Sequence, residues 1–158
     1  MGLHDPSEVS GGATARRAPG AGVMAARRPT TYSMAGRDNM DRSIVQIAEA
    51  FSRHNFADAY PYLTDDVQWH LVGDRHLVGR DHVIDACEHS AQYLAAMTTT
   101  FTKFKFVTGD SSVVIDSEAE YVDDEGQSTV IASCDIYEFS DGRLAEITSY
   151  TVQLSGRT

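Results

Sequence analysis

"SVVIDSEAEYV", residues 112–122, decides the fold. Val113, Ile115, Ser117, Ala119 and Tyr121 alternate with Asp116, Glu118 and Glu120. That is the two-residue period of a strand with one buried and one wetted face. Its neighbours extend the pattern. "DDEG" (123–126) is a turn, "QSTVIASCDIYEF" (127–139) a long strand apolar on both faces, "SDG" (140–142) a hairpin turn, and "RLAEITSYTVQL" (143–154) a last strand. Upstream, "TFTKFKFVTG" (100–109) contributes Phe101, Phe104 and Phe106. Four strands in sequence order form a meander.

Helical periodicity precedes it. "MDRSIVQIAEAFSRHNF" (40–56) sets Ile44, Ile47, Ala48 and Phe51 at helical spacing, with Asp41 or Ser43 placed to cap the start. "ADAYPYL" (57–63) reads as a short helix or turn around Pro61. "DHVIDACEHSAQYLAAM" (81–97) is a helix capped by Asp81. Between them lies a strand at 67–72, where Val67, Trp69 and Leu71 alternate with Gln68, His70 and Val72, followed by a hairpin-like excursion through Gly73 and Gly79. Helices segregated from antiparallel strands predict an α+β fold, a cone-shaped curved antiparallel or mixed sheet with helices closing one side. Such a cone encloses a small-molecule pocket.

The 158 residues suffice for one domain with a core. Residues 1–39 carry five arginines against three acidic residues, leaving 8 basic and 20 acidic residues, net −12, in 40–158. So acidic a domain repels phosphate backbones and anionic lipid, so neither nucleic acid nor a membrane is an expected partner. "GGATARRAPGAGVMAARRP" (11–29) lacks apolar periodicity, and residues 1–39 are expected to be a disordered extension, 40–154 the domain and 155–158 a tail. No apolar block of a secretory signal is present. Cys87 and Cys134 lie in apolar patterns without a C-x-x-C, as free thiols of a reducing, cytoplasmic compartment would.

"LTDDVQWH", "LVGRDHV", "DIYEFSDGRL" and "ITSYTVQL" resemble the nuclear transport factor 2-like superfamily, and within it the SnoaL-like and ketosteroid-isomerase-like groups. The resemblance spans about 40–154, all of the expected domain, and implies a cystatin-like α+β roll. "HLVG" stands where the isomerase pattern carries its catalytic aspartate, which puts His70 at the general-base position. "DIYEF" puts Asp135 at the position of the acid that donates a hydrogen bond to the developing oxyanion. The first-helix tyrosine of that pattern falls near Ile47, so the usual steroid isomerisation is not implied. Neither is the arginine–aspartate–aspartate chemistry of the epoxide-hydrolase branch.

His70 is thus the expected general base or acid and Asp135 its partner or hydrogen-bond donor. A ligand-facing surface is expected from Trp69, Ile115, Ser117, Tyr121, Ser133, Tyr137, Ile147 and Ser149, mostly apolar with scattered hydroxyls. On an ideal strand Trp69 faces away from His70, under a helix, unless a bend brings it to the pocket mouth. His76, His82 and His89 lack compact metal-ligand spacing, and neither metal nor cofactor is implied. The expected activity is cofactor-independent proton transfer of isomerase, cyclase or dehydratase type on a small apolar carbonyl compound. The alternative is a non-catalytic ligand-binding or dimeric assembly module. A homodimer is expected through the outer sheet face, where Cys134, Ile136 and Tyr150 lie.

Overall fold

Ser43 opens the first helix, α1 (Ile44–Ser52), in a reciprocal capping box. Its hydroxyl accepts from the Gln46 amide, and the Gln46 side chain accepts from the Ser43 amide. The computed structural model describes residues 42–154. The expected extension and tail, and the candidate cap Asp41, lie outside the described residues. After α1 come α2 (Phe56–Ala59), a 3-10 turn (Tyr60–Tyr62), β1 (Leu63–Leu71), β2 (Arg75–Val78), α3 (Arg80–Leu94), β3 (Thr98–Thr108), β4 (Ser112–Val122), β5 (Ser128–Ser140) and β6 (Arg143–Leu154).

The chain reverses after α1 in a Schellman arrangement. His54 N–H donates to Phe51 O and Asn55 N–H to Ala50 O. The turn requires a left-handed residue, and His54 supplies it at φ 64°. For a side-chain-bearing residue this conformation costs roughly 1–2 kcal/mol, and glycine is the usual occupant.

The six strands form one mixed sheet in the order β2-β1-β6-β5-β4-β3. Neighbours are antiparallel except β1 and β6, which run parallel. The expected excursion after β1 is a true strand, β2, with Leu71 opposite Arg75 and Trp69 opposite Leu77. Asp141 and Gly142 both adopt positive φ (50° and 74°) between Ser140 and Arg143, the requirement of a two-residue type I′ hairpin. Helix α3 starts one residue earlier than expected, after Gly79 at φ 95°, and Asp81 sits in its first turn rather than at its cap.

One face of the sheet takes all three helices. Ile47, Phe51, Phe56, Val83 and Cys87 pack onto Leu63, Val67, Val113, Ile115, Leu144 and Ile147. Phe51 is the hub, in edge-to-face contact with Phe56 and Trp69 (both 5.1 Å) and with Tyr137 (5.9 Å). Arg143 reaches from the start of β6 to the Leu63 carbonyl at 2.6 Å and fixes the parallel pair at its closed end. Ile147 is fully buried in this layer. Ile147→Ala is expected to lower unfolding stability by about 2–5 kcal/mol in urea titrations, the range for deleting such a side chain from a packed core.

Candidate functional site

The helices cover only part of the concave face. At the other end, where the loop 72–74 and the turn 123–127 flank the opening, the sheet curls around a cavity of about 930 Å³. Its floor comes from alternate residues of three strands: Ser117, Ala119 and Tyr121 of β4; Ile131, Ser133, Asp135 and Tyr137 of β5; Ser149, Thr151 and Gln153 of β6. Strand pairing sets Ser117 against Ser133, Ser133 against Thr151, and Asp135 against Ser149 on this face. Its roof includes Phe51, His54 and Phe56 from the α1–α2 region and Tyr93, Leu94 and Met97 from α3 and the residues after it.

Asp135 is held from two sides. The Ser133 hydroxyl donates to Oδ2 at 2.8 Å, and the Ser149 hydroxyl bonds the same carboxyl group. Ser149 in turn accepts from the Trp69 indole N–H at 2.9 Å. An indole nitrogen can only donate, so the Ser149 proton is directed to Asp135. Burial pushes the Asp135 carboxyl above the ordinary carboxylate range, and the two serine hydroxyls pull part of the way back. Tyr137 is enclosed, its hydroxyl sharing a 2.6 Å hydrogen bond with Ser52. Its phenol is raised by burial and by the Asp135 charge. Tyr121 is pushed up to about 12, first by burial and then by Asp135. At neutral pH the Tyr121 phenol is therefore uncharged and can donate to a ligand.

His70 does not join this site. It lies on the opposite, convex face, where its ring stacks on His76 at 3.6 Å and its Nε2 stands 3.9 Å from Glu146. His76 Nε2 donates to Gln68 on the same face. The expectation that His70 and Asp135 look into one hollow is corrected. The apolar set Val67, Trp69 and Leu71 takes the concave face, so strand alternation sends His70 outward. Trp69 is the residue that reaches the cavity, and no bend is needed to bring it there. Ser117, Tyr121, Ser133, Tyr137 and Ser149 line the cavity. Ile115 and Ile147 do not. They share that sheet face but are fully buried beneath the helices.

His54 was not among the expected site residues. It lines the cavity roof among the rings of Phe56, Phe101 and Tyr121, at centroid distances of 5.7, 5.8 and 6.0 Å. Burial lowers its imidazole to about 4, so it is neutral at pH 7. The sequence does carry a signal for it: "SRHN" closes a helix without the glycine such a turn favours. His82 and His89 bond the backbone carbonyls four residues earlier, Val78 at the end of β2 and Asp85 within α3. No cluster of metal-ligating side chains occurs among the described residues. Cys87 and Cys134 are free thiols, the first buried and the second half-buried on the convex face.

Residues 44–147 match the family model described as the SnoaL-like domain. A nuclear transport factor 2-like protein of unknown function from Cytophaga hutchinsonii is 28% identical with a TM-score of 0.62, over 68% of this chain and 95% of that one. A candidate polyketide cyclase from Xanthomonas campestris is 18% identical with a TM-score of 0.54, over 66% and 83% of the two chains. An LEH-like epoxide hydrolase from M. tuberculosis is 15% identical with a TM-score of 0.51, over 66% and 75%. The latter two are similar in fold alone. No curated protein matches the chain.

The environment of Asp135 has a consequence for stability. Its carboxyl ionises less readily in the fold than in the unfolded chain, so its contribution favours folding below the unfolded carboxylate range and is lost as pH rises through the raised value. Asp135→Asn, which cannot ionise, is expected to be more stable than wild type at pH 8. The difference is expected to close at about pH 4, near the ordinary aspartate pKa. Urea denaturation of both proteins across that range checks it.

Proposed function

On the premise that the chain belongs to the SnoaL-like domain family, we propose that it binds a small, uncharged, partly oxygenated apolar compound and transfers a proton on it, with Asp135 as the acid. The observation that carries this reading is a single carboxyl group on the floor of a hydroxyl-flecked apolar cavity, held by Ser133 and Ser149 and biased toward its neutral form by burial. A neutral carboxyl can donate a hydrogen bond to a carbonyl oxygen and stabilise the negative charge that grows there when a neighbouring carbon loses its proton. The aromatic and aliphatic walls, Trp69, Phe101, Leu94 and Met97, favour an apolar ligand body. The carboxylates of Asp74, Asp123 and Asp124 lie at the opening and disfavour anionic ligands. Isomerisation, cyclisation and dehydration all share this proton-transfer step.

A second reading, a ligand-binding module without catalysis, is favoured by the outward placement of His70, which leaves Asp135 without the expected partner. Deuterium incorporation separates the two. The protein is incubated in deuterium oxide with a panel of neutral aryl and alicyclic ketones, and exchange beside the carbonyl is followed by NMR. Accelerated exchange is expected for wild type. Asp135→Asn is expected to lower it by roughly 10²–10⁴-fold, the usual contribution of a positioned acid or base. Ketones that bind without accelerated exchange would leave the binding module as the function.

The homodimer belongs to the same proposal. On the convex face Tyr150 pairs with Cys134 and Val152 with Ala132, while Thr148, Ile136, Val114 and Val107 run across the sheet beside them. Tyr150, Val152 and Val107 are 49%, 59% and 70% exposed. An apolar sheet face of this extent supports pairing with a second copy. The double variant Tyr150→Glu, Val152→Lys is expected to halve the mass measured by light scattering while leaving the circular dichroism spectrum unchanged.

A further inference from the structure

We infer that His54 is the second polar contact of the cavity: its imidazole accepts a hydrogen bond, or a proton, from the ligand while Asp135 donates to the ligand's carbonyl oxygen. The ligand class that fits is therefore a neutral hydroxy-carbonyl compound, with an acceptor oxygen toward the sheet and a hydroxyl or acidic C–H toward the helices. This inference rests on the proposed function and assigns the partner that His70 does not provide.

Three independent observations carry it. The first is position. His54 lines the same cavity as Asp135 but belongs to the roof, the connection between α1 and α2, whereas Asp135 belongs to the floor. A ligand between them meets one group on each side. The second is the absence of a competing partner. His54 ring contacts are with Phe56, Phe101 and Tyr121, and its nitrogens make no hydrogen bond to a described residue. An imidazole among aromatic rings keeps a lone pair and an N–H to offer. The third is backbone conformation. His54 occupies the left-handed position of the helix-terminating turn, where glycine meets the local requirement better. A residue that contradicts its local rule beside a cavity marks a functional demand at that position. The neighbouring residue is also anchored. The adjacent Arg53 bonds Glu49 at 2.8 Å and lies 3.9 Å from the Phe104 ring centroid.

The chemistry balances without any further reactant. Burial keeps the His54 imidazole neutral at pH 7 and biases the Asp135 carboxyl toward its neutral form, one able to accept a proton and the other to donate. In proton transfer, a C–H beside the carbonyl loses its proton to the imidazole nitrogen. The bonding pair moves into the new carbon–carbon double bond, and the oxygen gains electron density against the Asp135 O–H. The imidazolium then returns its proton to carbon, in an isomerisation, or to a departing hydroxyl, which leaves as water.

Four probes test the pairing by fluorescence titration: naphthalene, naphthol, acetonaphthone and hydroxyacetonaphthone. With wild type, the hydroxyl and the acetyl group are each expected to tighten binding by roughly two- to tenfold over naphthalene, the range for one neutral hydrogen bond. His54→Phe keeps an aromatic ring but has no acceptor, and His54→Gly relieves the left-handed backbone. In both, the hydroxyl gain is expected to vanish and the acetyl gain to persist. In Asp135→Leu the reverse is expected. A hydroxyl gain that survives both His54 variants, or that is absent from wild type, overturns the inference while the pocket reading stands. Loss of both gains in the His54 variants also overturns it, because a general collapse of the cavity would do that. If none of the four binds wild type, the proposed function falls and this inference with it.

Discussion

The bond from the Trp69 indole to the Ser149 hydroxyl joins the first strand to the last and orders the site around it. It spans the only parallel pair in the sheet, β1 with β6. Because the indole can only donate, it settles which way the serine proton points. That proton goes to Asp135, the residue registered against Ser149 on β5. One hydrogen bond thus couples the strand that closes the sheet to the carboxyl group at the centre of the cavity. Phe51, in edge contact with both Trp69 and Tyr137, holds the same arrangement from the helix side. Tyr137 is fastened in turn by Ser52 from α1.

The concave face does two jobs along its length. Near the β5–β6 hairpin and the start of β1 it is a filled core, with Leu63, Val67, Val113, Ile115, Leu144 and Ile147 under the helices. Toward the far end of β6 the same face carries Ser149, Thr151 and Gln153 and opens into the cavity. The change follows the residue types. Aliphatic side chains that can interdigitate give way to hydroxyls and one acid, which repay burial only if they are hydrogen-bonded to one another or to a ligand. Among the described residues the convex face has no helix layer. It presents the stacked His70–His76 pair, the Glu146 carboxylate and an apolar strip around Tyr150 and Val152.

The alternation in 112–122 and the hairpin at Asp141–Gly142 were legible because a strand's side-chain period and an aspartate–glycine turn are local properties. The position of Asp135 was legible from the same period, which puts it with Ser133 and Tyr137. The misplacement of His70 came from treating cavity and core as two faces of the sheet. They are one face, covered at one end and open at the other. Once Val67 and Trp69 are core, His70 must point out. His54 escaped notice because a histidine in a helix-ending turn acquires meaning only when the rings around it and the cavity beneath it are in place.

The sequence alone therefore determined the order of helices and strands, the fold class, and the face on which each residue of β4, β5 and β6 lies. These follow from spacing between neighbours in the chain. Only the tertiary structure decided which face closes over a cavity, that Trp69 rather than His70 reaches it, and that a helix-terminating histidine sits in the roof across from Asp135. Those facts depend on how far the helices extend over the sheet and on pairings between residues eighty or so positions apart, such as Trp69 with Ser149. No local pattern specifies either, because closing so long a loop is driven by what its ends bury together.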